Sequence, residues 1–100
     1  MMILHFLPEA NAELQAAAEY YESKQEGLGW RFRSEVFEVC GLIVQQPLMW
    51  RERPGGYRRV NCPVFPYYLV YFIRAERIVI AAVAHGHRHP DYWKQRDERL

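Results

Sequence analysis

The densest group of chemically active side chains is the segment His85-Gly86-His87-Arg88-His89-Pro90-Asp91-Tyr92-Trp93. It directly follows an apolar run, and loops carried by a buried strand are common places for functional sites. RNA cleavage without a metal needs a base near the 2′-hydroxyl, an acid at the leaving oxygen and cations for the phosphate. His85, His87, Arg88 and Tyr92 supply these residue types. A structural role is the alternative, with Arg88 paired to Asp91 or Glu98 and with Tyr92 and Trp93 packing the chain end.

The three histidines of this segment also raise the question of a metal site. If the strand continued, histidines two residues apart would lie about 6.6 Å apart on one face, which is wide for three ligands of one zinc ion. Gly86 and Pro90 disfavour an extended continuation, and no cysteine or carboxylate has recognisable metal-ligand spacing. We therefore expect no metal ion, and no motif in the chain predicts a cofactor.

A second cluster of cations, Arg51, Arg53, Arg58 and Arg59, surrounds Pro54-Gly55-Gly56. Guanidinium groups bind phosphates and carboxylates through paired hydrogen bonds. The glycine pair is not followed by Lys-Ser/Thr and a helix, so it is not a nucleotide-binding P-loop. The segment 47–56 is long for a loop in so small a chain, and long loops tend to be functional or mobile.

Length, charge and hydropathy limit the protein class. One hundred residues, half of them apolar, fit one domain spanning 1–100 with a real core. Residues 1–50 carry three basic and seven acidic residues, a net charge of −4, whereas residues 51–100 carry ten and five, a net charge of +5. The C-terminal half is therefore expected to face a polyanion or an acidic partner. No stretch approaches the ~20 apolar residues of a membrane span, and we expect a soluble, cytoplasmic protein with Cys40 and Cys62 reduced.

The periodicity of apolar residues predicts the elements that position these side chains. A short strand over 3–6 precedes a helix that begins near Pro8 and carries the stripe Ala10, Leu14, Ala17 and Tyr21. Gly27 and Gly29 interrupt it, and a second helix ends before Pro47 and carries the stripe Phe32, Val36, Val39 and Ile43. Period-two patterns then predict strands over 57–62, 67–73 and 78–84, followed by a short helix or ordered tail from Pro90 to Leu100. The fold class is α+β, with an antiparallel helical hairpin packed on an antiparallel sheet.

With the elements in this order, the chain resembles the RelE/ParE superfamily of bacterial toxins, also called plasmid-stabilisation proteins. The resemblance covers almost the whole chain, and it depends on several short motifs taken together. They are Pro8-Glu9-Ala10, Glu13-Leu14, Tyr20-Tyr21-Glu22, Gly27-Leu28-Gly29, Arg58-Arg59, Phe65-Pro66-Tyr67, Val70-Tyr71, Ile80-Ala81-Ala82-Val83-Ala84-His85 and Arg88-His89-Pro90-Asp91-Tyr92-Trp93.

The resemblance implies the toxin of a type II toxin–antitoxin pair, neutralised by a cognate antitoxin. RelE-like members cut mRNA on the ribosome, whereas ParE-like members bind and poison DNA gyrase. Where many RelE-like proteins have a basic residue on the third strand, this chain has Tyr68, and the nearest cations in the preceding loop are Arg51 and Arg53. Arginine keeps its charge but does not exchange protons near neutral pH. The resemblance is therefore closer to ParE-like members, with a RelE-like endonuclease as the alternative.

We also predict which residues contact the target and the antitoxin. Six residues are expected to bind the target: Arg51, Arg53, Arg59, Arg88, Tyr92 and Trp93. Off-stripe and loop apolar residues are expected to bind the antitoxin: Phe37, Val44, Met49 and Trp50. A homodimer or a heterotetramer with the antitoxin is compatible with this assignment. Since side chains alternate along a strand, only one of Arg58 and Arg59 is expected to face the target.

Overall fold

The computed structural model of the chain describes residues 2–88 and 90–99 and has the predicted order of elements. Strand β1 (Ile3–Phe6) leads into helices α1 (Pro8–Lys24) and α2 (Leu28–Gln45). Strands β2 (Arg58–Asn61), β3 (Tyr67–Arg74) and β4 (Arg77–His85) follow, and a 3₁₀ helix spans Pro90–Arg99. The predicted α+β architecture is confirmed. No helix among the described residues has the length and apolar character needed to cross a membrane.

The four strands form one sheet in the order β1-β4-β3-β2. β2, β3 and β4 are antiparallel neighbours, as the sequence predicts, with tight pairing of β3 and β4 from Tyr67↔His85 to Arg74↔Arg77. β1 instead pairs in parallel with β4, through Leu4↔Ile78 and its neighbours, so the sheet is mixed rather than wholly antiparallel. Parallel strands need a long crossover connection, which the helical hairpin and the two intervening strands supply here.

Both faces of the central β3–β4 pair are buried. On one face the helices pack against the sheet, where the Phe32 ring lies 5.0 Å from the Tyr67 ring and 5.2 Å from the Phe65 ring. The predicted stripe of α2 is buried throughout. On the opposite face the 3₁₀ helix contributes Trp93, which is 1% exposed and packs 4.6 Å from the Tyr57 ring.

The boundaries of the strands differ from the predicted ones by a few residues. β2 is shorter, because Tyr57 forms an isolated bridge with Arg53 and Cys62 donates its backbone N–H to Tyr67 O (2.9 Å) at the hairpin end. β3 is one residue longer than predicted and ends at Arg74. β4 is one residue longer at each end and runs from Arg77 to His85. The two-residue connection between them places Ala75 at φ 55°, in the left-handed region that tight hairpin turns require.

The junction of the helices depends on Gly27, Gly29 and the acidic Glu22. Gly27 has φ 85°, and the Glu22 carboxylate accepts the backbone N–H of Gly27 (2.9 Å) and of Gly29 (3.0 Å). These bonds satisfy donors at the start of α2 that have no partner within the helix. The sequence predicted a break at both glycines, but Gly29 lies inside α2. Gly29 allows α2 to approach α1 closely, because a Cβ at this position would overlap the backbone oxygen of Ala18 on α1.

We expect Gly29→Ala to lower the free energy of unfolding by about 1–3 kcal/mol, because the added methyl group pushes the helices apart. Gly41→Ala in the same helix is the matched control, since a Cβ at Gly41 meets nothing within 4 Å. That change should raise the free energy of unfolding by about 0.5–1 kcal/mol, as expected for Gly→Ala in an open helical position. Urea denaturation measures both values, and equal stabilisation by the two substitutions would contradict the close approach.

Candidate functional site

A cleft of about 320 Å³ lies between α1 and the end of β4. It brings together three of the four residues predicted for RNA cleavage, namely His85, Arg88 and Tyr92. The fourth, His87, is exposed and its ring lies 5.2 Å from the His85 ring. The cleft also contains polar residues that the sequence analysis did not assign to the site: Glu13, Tyr20 and Tyr67.

The loop after β4 fixes the orientation of His85. Its Nδ1 accepts the backbone N–H of His87 (3.1 Å), so the neutral ring carries its proton on Nε2. Gly86 donates its N–H to Pro66 O (2.8 Å), and Arg88 donates its N–H to His85 O (3.0 Å). The His85 ring meets the Tyr67 ring edge-on at 5.1 Å. Only the Nε2 side of His85 is therefore available to a partner. His89, the third histidine of the segment, lies outside the described residues.

The Tyr92 ring is stacked by two cations. The Arg88 guanidinium lies 3.9 Å from its centroid and the Arg96 guanidinium 5.2 Å from it. Burial raises the pKa of Tyr92 well above its usual value, and the neighbouring Glu13 carboxylate raises it further. The phenol therefore stays protonated at neutral pH and cannot act as a base there. Arg88, in contrast, is exposed and carries its charge on a rigid aromatic support.

An ion pair that the sequence analysis missed lies beside the cleft. Arg96 donates to both carboxylate oxygens of Glu13 at 3.0 Å, and to Ala81 O at 2.8 Å. Glu13 Oε1 also accepts the backbone N–H of Val83 (3.1 Å). We call this ion pair the Glu13–Arg96 latch. Its members are 83 positions apart in the chain, and no local pattern in the sequence marks them as partners.

Arg58 and Arg59 point to opposite faces of the sheet, as the alternation of side chains predicts. Arg58 donates to Trp50 O (2.7 Å) and so holds the loop that follows α2. The Arg59 guanidinium lies 3.7 Å above the Tyr68 ring, and its Nε donates to Asn61 Oδ1 (3.0 Å). With Tyr67 and Gly86, Arg59 lines a pocket of about 230 Å³, and Tyr67 also lines the cleft. The end of the sheet thus carries Arg59 and Arg88 on adjoining pockets.

The other residues predicted to bind the target lie elsewhere or are buried. Arg51 is exposed and Arg53 half-buried in the loop 46–57, and neither lines the cleft. That loop is anchored, because the Tyr71 hydroxyl donates to Pro47 O and Arg58 to Trp50 O. Trp93 is too buried to offer a surface to a partner. Its Nε1 donates to the Tyr68 hydroxyl (3.3 Å), so it supports the ring beneath Arg59.

The residues predicted to bind the antitoxin are only partly grouped. Phe37 is 80% exposed and lines an apolar groove of about 450 Å³ between β1, α1 and α2. Met49 is exposed on the following loop, while Val44 and Trp50 are half-buried against the core. The other residues of the groove were not predicted as contacts: Leu4, Phe6, Asn11, Leu14, Arg33, Val36 and Cys40.

Neither cysteine is an activated nucleophile. Burial raises the pKa of the Cys40 thiol to about 12 and that of the Cys62 thiol to about 12, with Glu35 adding to the shift at Cys62. Both thiols therefore remain protonated near neutral pH. Within the described part of the chain, no three side chains among His, Cys, Asp and Glu are grouped as a metal site.

Comparisons with known proteins agree with this architecture. Among solved structures, the chain is similar to the chromosomal ParDE TA system from P. aeruginosa, with a TM-score of 0.73 and 20% identity over 85% of this chain and 96% of that chain. It is also similar to the isolated E. coli RelE toxin, with a TM-score of 0.64 and 17% identity over 100% of both chains. A search of the curated proteins found no match. Residues 4–90 match the family described as the ParE toxin of type II toxin–antitoxin system, parDE. The chain therefore belongs to the ParE toxin family of type II toxin–antitoxin systems.

Proposed function

We propose that this ParE-family toxin acts in the cytoplasm by binding DNA gyrase and arresting it, without cleaving RNA. A ParE toxin implies a cognate antitoxin as its partner. The observation that carries the proposal is the pair of arginines supported by tyrosine rings, Arg59 on Tyr68 and Arg88 on Tyr92. Such groups bind carboxylates or phosphates strongly but do not transfer protons near neutral pH.

The ionisable groups of the cleft favour binding over catalysis. RNA cleavage requires a base and an acid that exchange protons near the working pH. Burial keeps Tyr92 protonated, and Arg88 keeps its charge. His85 and His87 are the residues of this region that favour the alternative, a RelE-like mRNA endonuclease on the ribosome.

The sheet face opposite the helices gives further support. RelE-like activity uses residues on an open sheet face, as the family resemblance implies. Here Trp93 of the 3₁₀ helix covers that face and donates to Tyr68, the residue found where many RelE-like proteins have a cation. An RNA strand would have to displace Trp93 to reach the part of the sheet that this ring covers. A protein surface can contact Arg59 and Arg88 without displacing Trp93.

Arg59 and Arg88 also suit an acidic partner. Among the side chains that the structure describes, neither arginine forms an ion pair, whereas Arg74 pairs with Asp97 and Arg96 pairs with Glu13. Each arginine is held by an aromatic ring, so little freedom is lost when it binds. Charge-assisted bonds of this kind each stabilise a complex by roughly 1.5–3 kcal/mol.

Controlled induction of the toxin in cells tests the proposed activity. We expect a DNA-damage response and replication arrest while translation is initially intact, because a poisoned gyrase leaves mRNA unbroken. The His85→Ala, His87→Ala double variant should be about as toxic as the original chain, since neither imidazole is needed for binding. Cleavage of mRNA at ribosome-occupied codons within minutes, abolished in the double variant, would establish the endonuclease instead.

The two stacked arginines provide a second prediction. The Arg59→Ala, Arg88→Ala double variant should raise the toxin concentration needed for growth arrest by at least about tenfold, because two charge-assisted contacts are lost. Arg77→Ala is the matched control, since Arg77 is exposed at the opposite end of the sheet. Thermal denaturation should show both variants folded. Unchanged toxicity of the double variant would remove these arginines from the target-binding surface.

The apolar groove beside β1 is proposed as the antitoxin site. An exposed groove of this size fits the apolar side chains of an amphipathic segment. Arg33 lies at the groove and offers a cation to an acidic residue of that segment. Residues 1–50 carry a net charge of −4, so a cation at the groove would also help to orient the antitoxin.

Phe37→Ser should weaken antitoxin binding by about tenfold or more, because an apolar anchor at the groove is removed. Toxicity of Phe37→Ser alone should persist, and co-expressed antitoxin should neutralise it poorly. Val64→Ser removes a similarly exposed apolar side chain from the β2–β3 loop and serves as the control. Calorimetric titration with the antitoxin measures the difference, and equal affinities of the two variants would contradict the groove assignment.

A further inference from the structure

We infer that Glu13, on α1, is a positioning residue for Arg88, acting through Arg96 and Tyr92. The inference rests on the proposed function in one respect, because it takes Arg88 as a target contact. Glu13 itself lines the cleft, and both of its carboxylate oxygens accept hydrogen bonds from Arg96. Its effect on the target would therefore be indirect.

Strand β4 is irregular near its middle. The pairing of β1 with β4 ends at Phe6↔Ile80, so β4 runs on past its neighbour. At the same point the β3–β4 register shifts: Val70 pairs with Ala82 and Tyr71 with Ile80, which leaves Ala81 without a partner on β3. Such a bulge leaves backbone groups of the strand without ladder hydrogen bonds.

The Glu13–Arg96 latch binds backbone groups of β4 in the part of the strand that β1 does not reach. Arg96 donates to Ala81 O, and Glu13 accepts the N–H of Val83. The side chains of Arg96 and Glu13 are only 14% and 17% exposed, so solvent screens their attraction weakly. Loss of one member would leave both a backbone group and the other charge without a partner in a half-buried place. The latch therefore holds the 3₁₀ helix against α1 and β4.

From the latch, contacts lead directly to the exposed Arg88. The Arg96 guanidinium lies 5.2 Å from the centroid of the Tyr92 ring, and that ring supports Arg88 at 3.9 Å. Tyr92 also lies near enough to Glu13 for the carboxylate to add to the rise of its pKa. A change at Glu13 would thus shift Arg96, then the ring, and then the guanidinium that rests on it.

The 3₁₀ helix has two further anchors, which separate a positioning role from a purely structural one. Trp93 is buried against Tyr57 and Tyr68, and Arg74 pairs with Asp97 at 2.8 Å. With these contacts in place, loss of the latch should leave the helix attached. What should change is the position of the residues nearest the latch, Tyr92 and Arg88.

Glu13→Gln tests the inference, because the amide retains the shape of the side chain and can still accept the N–H of Val83. It removes the charge that holds Arg96. We expect amide hydrogen exchange over residues 92–97 to become about tenfold faster, and the half-inhibitory concentration against gyrase to rise about tenfold. Antitoxin affinity should be unchanged, because the groove around Phe37 shares no residue with the cleft.

Two further variants complete the experiment. Glu19→Gln makes the same chemical change at an exposed position of α1 and should leave exchange and inhibition as they are. Arg96→Lys keeps the positive charge but loses the paired geometry, and it should shift both measurements in the same direction as Glu13→Gln.

Normal inhibition by Glu13→Gln and Arg96→Lys, or an equal loss of inhibition and antitoxin affinity in both, would overturn the positioning role. If the unaltered chain fails to inhibit gyrase, the proposed function is wrong while the inference remains testable. In that case a specific loss of cellular toxicity, with faster exchange over residues 92–97, supports the inference, and unchanged toxicity overturns it.

Discussion

Strand β4 has to be covered on both faces and along both edges, and most of the structure follows from how this is done. Its faces are apolar throughout, so the helices pack on one side and Trp93 of the 3₁₀ helix on the other. β3 pairs with it from Arg77 to His85, apart from the bulge at Ala81, whereas β1 reaches only to Ile80. The uncovered remainder of the edge begins at the bulge, where Glu13 and Arg96 bind the backbone. An irregularity of one strand thus places α1, the 3₁₀ helix and the cleft relative to one another.

The parts of the fold that depend on local periodicity could be predicted from the sequence. The stripe Phe32, Val36, Val39 and Ile43 is buried as expected, and the apolar runs around residues 67–73 and 78–84 form the central hairpin. Parallel pairing of β1 could not be predicted, because it depends on where the chain returns after the helices and two further strands. Gly29 lies within α2 because the backbone of Ala18 on the other helix packs against it. The sequence pattern of one helix gives no sign of such a contact.

In the candidate site, too, some features could be predicted from the sequence and others depend on tertiary contacts. His85, Arg88 and Tyr92 were identified from residue type and their position after a buried strand, and they do line one cleft. Trp93 was predicted to bind the target, with packing of the chain end as the alternative, and in the structure it packs against Tyr68 and is buried. Glu13 was overlooked because its partner Arg96 lies at the other end of the chain. The sequence shows which residues have side chains suited to binding or catalysis. Tertiary packing decides which side chains support one another.

The two proposed binding surfaces lie apart from each other. The groove of Phe37 lies between β1 and the helices, while Arg59 and Arg88 lie at the end of the sheet, and the pockets that contain them share no residue with the groove. Substitutions at one place should therefore affect neutralisation, and substitutions at the other should affect toxicity. Arginines held on aromatic rings suit a toxin that acts by binding.

Supercoiling of relaxed plasmid by purified gyrase, in the presence of increasing amounts of the purified toxin, tests this account most directly. The account predicts that the toxin blocks supercoiling, that the Arg59→Ala, Arg88→Ala variant needs at least about tenfold more protein for the same effect, and that antitoxin restores activity. Full supercoiling with the toxin in large excess, together with cleavage of ribosome-bound mRNA by the same preparation, would contradict it.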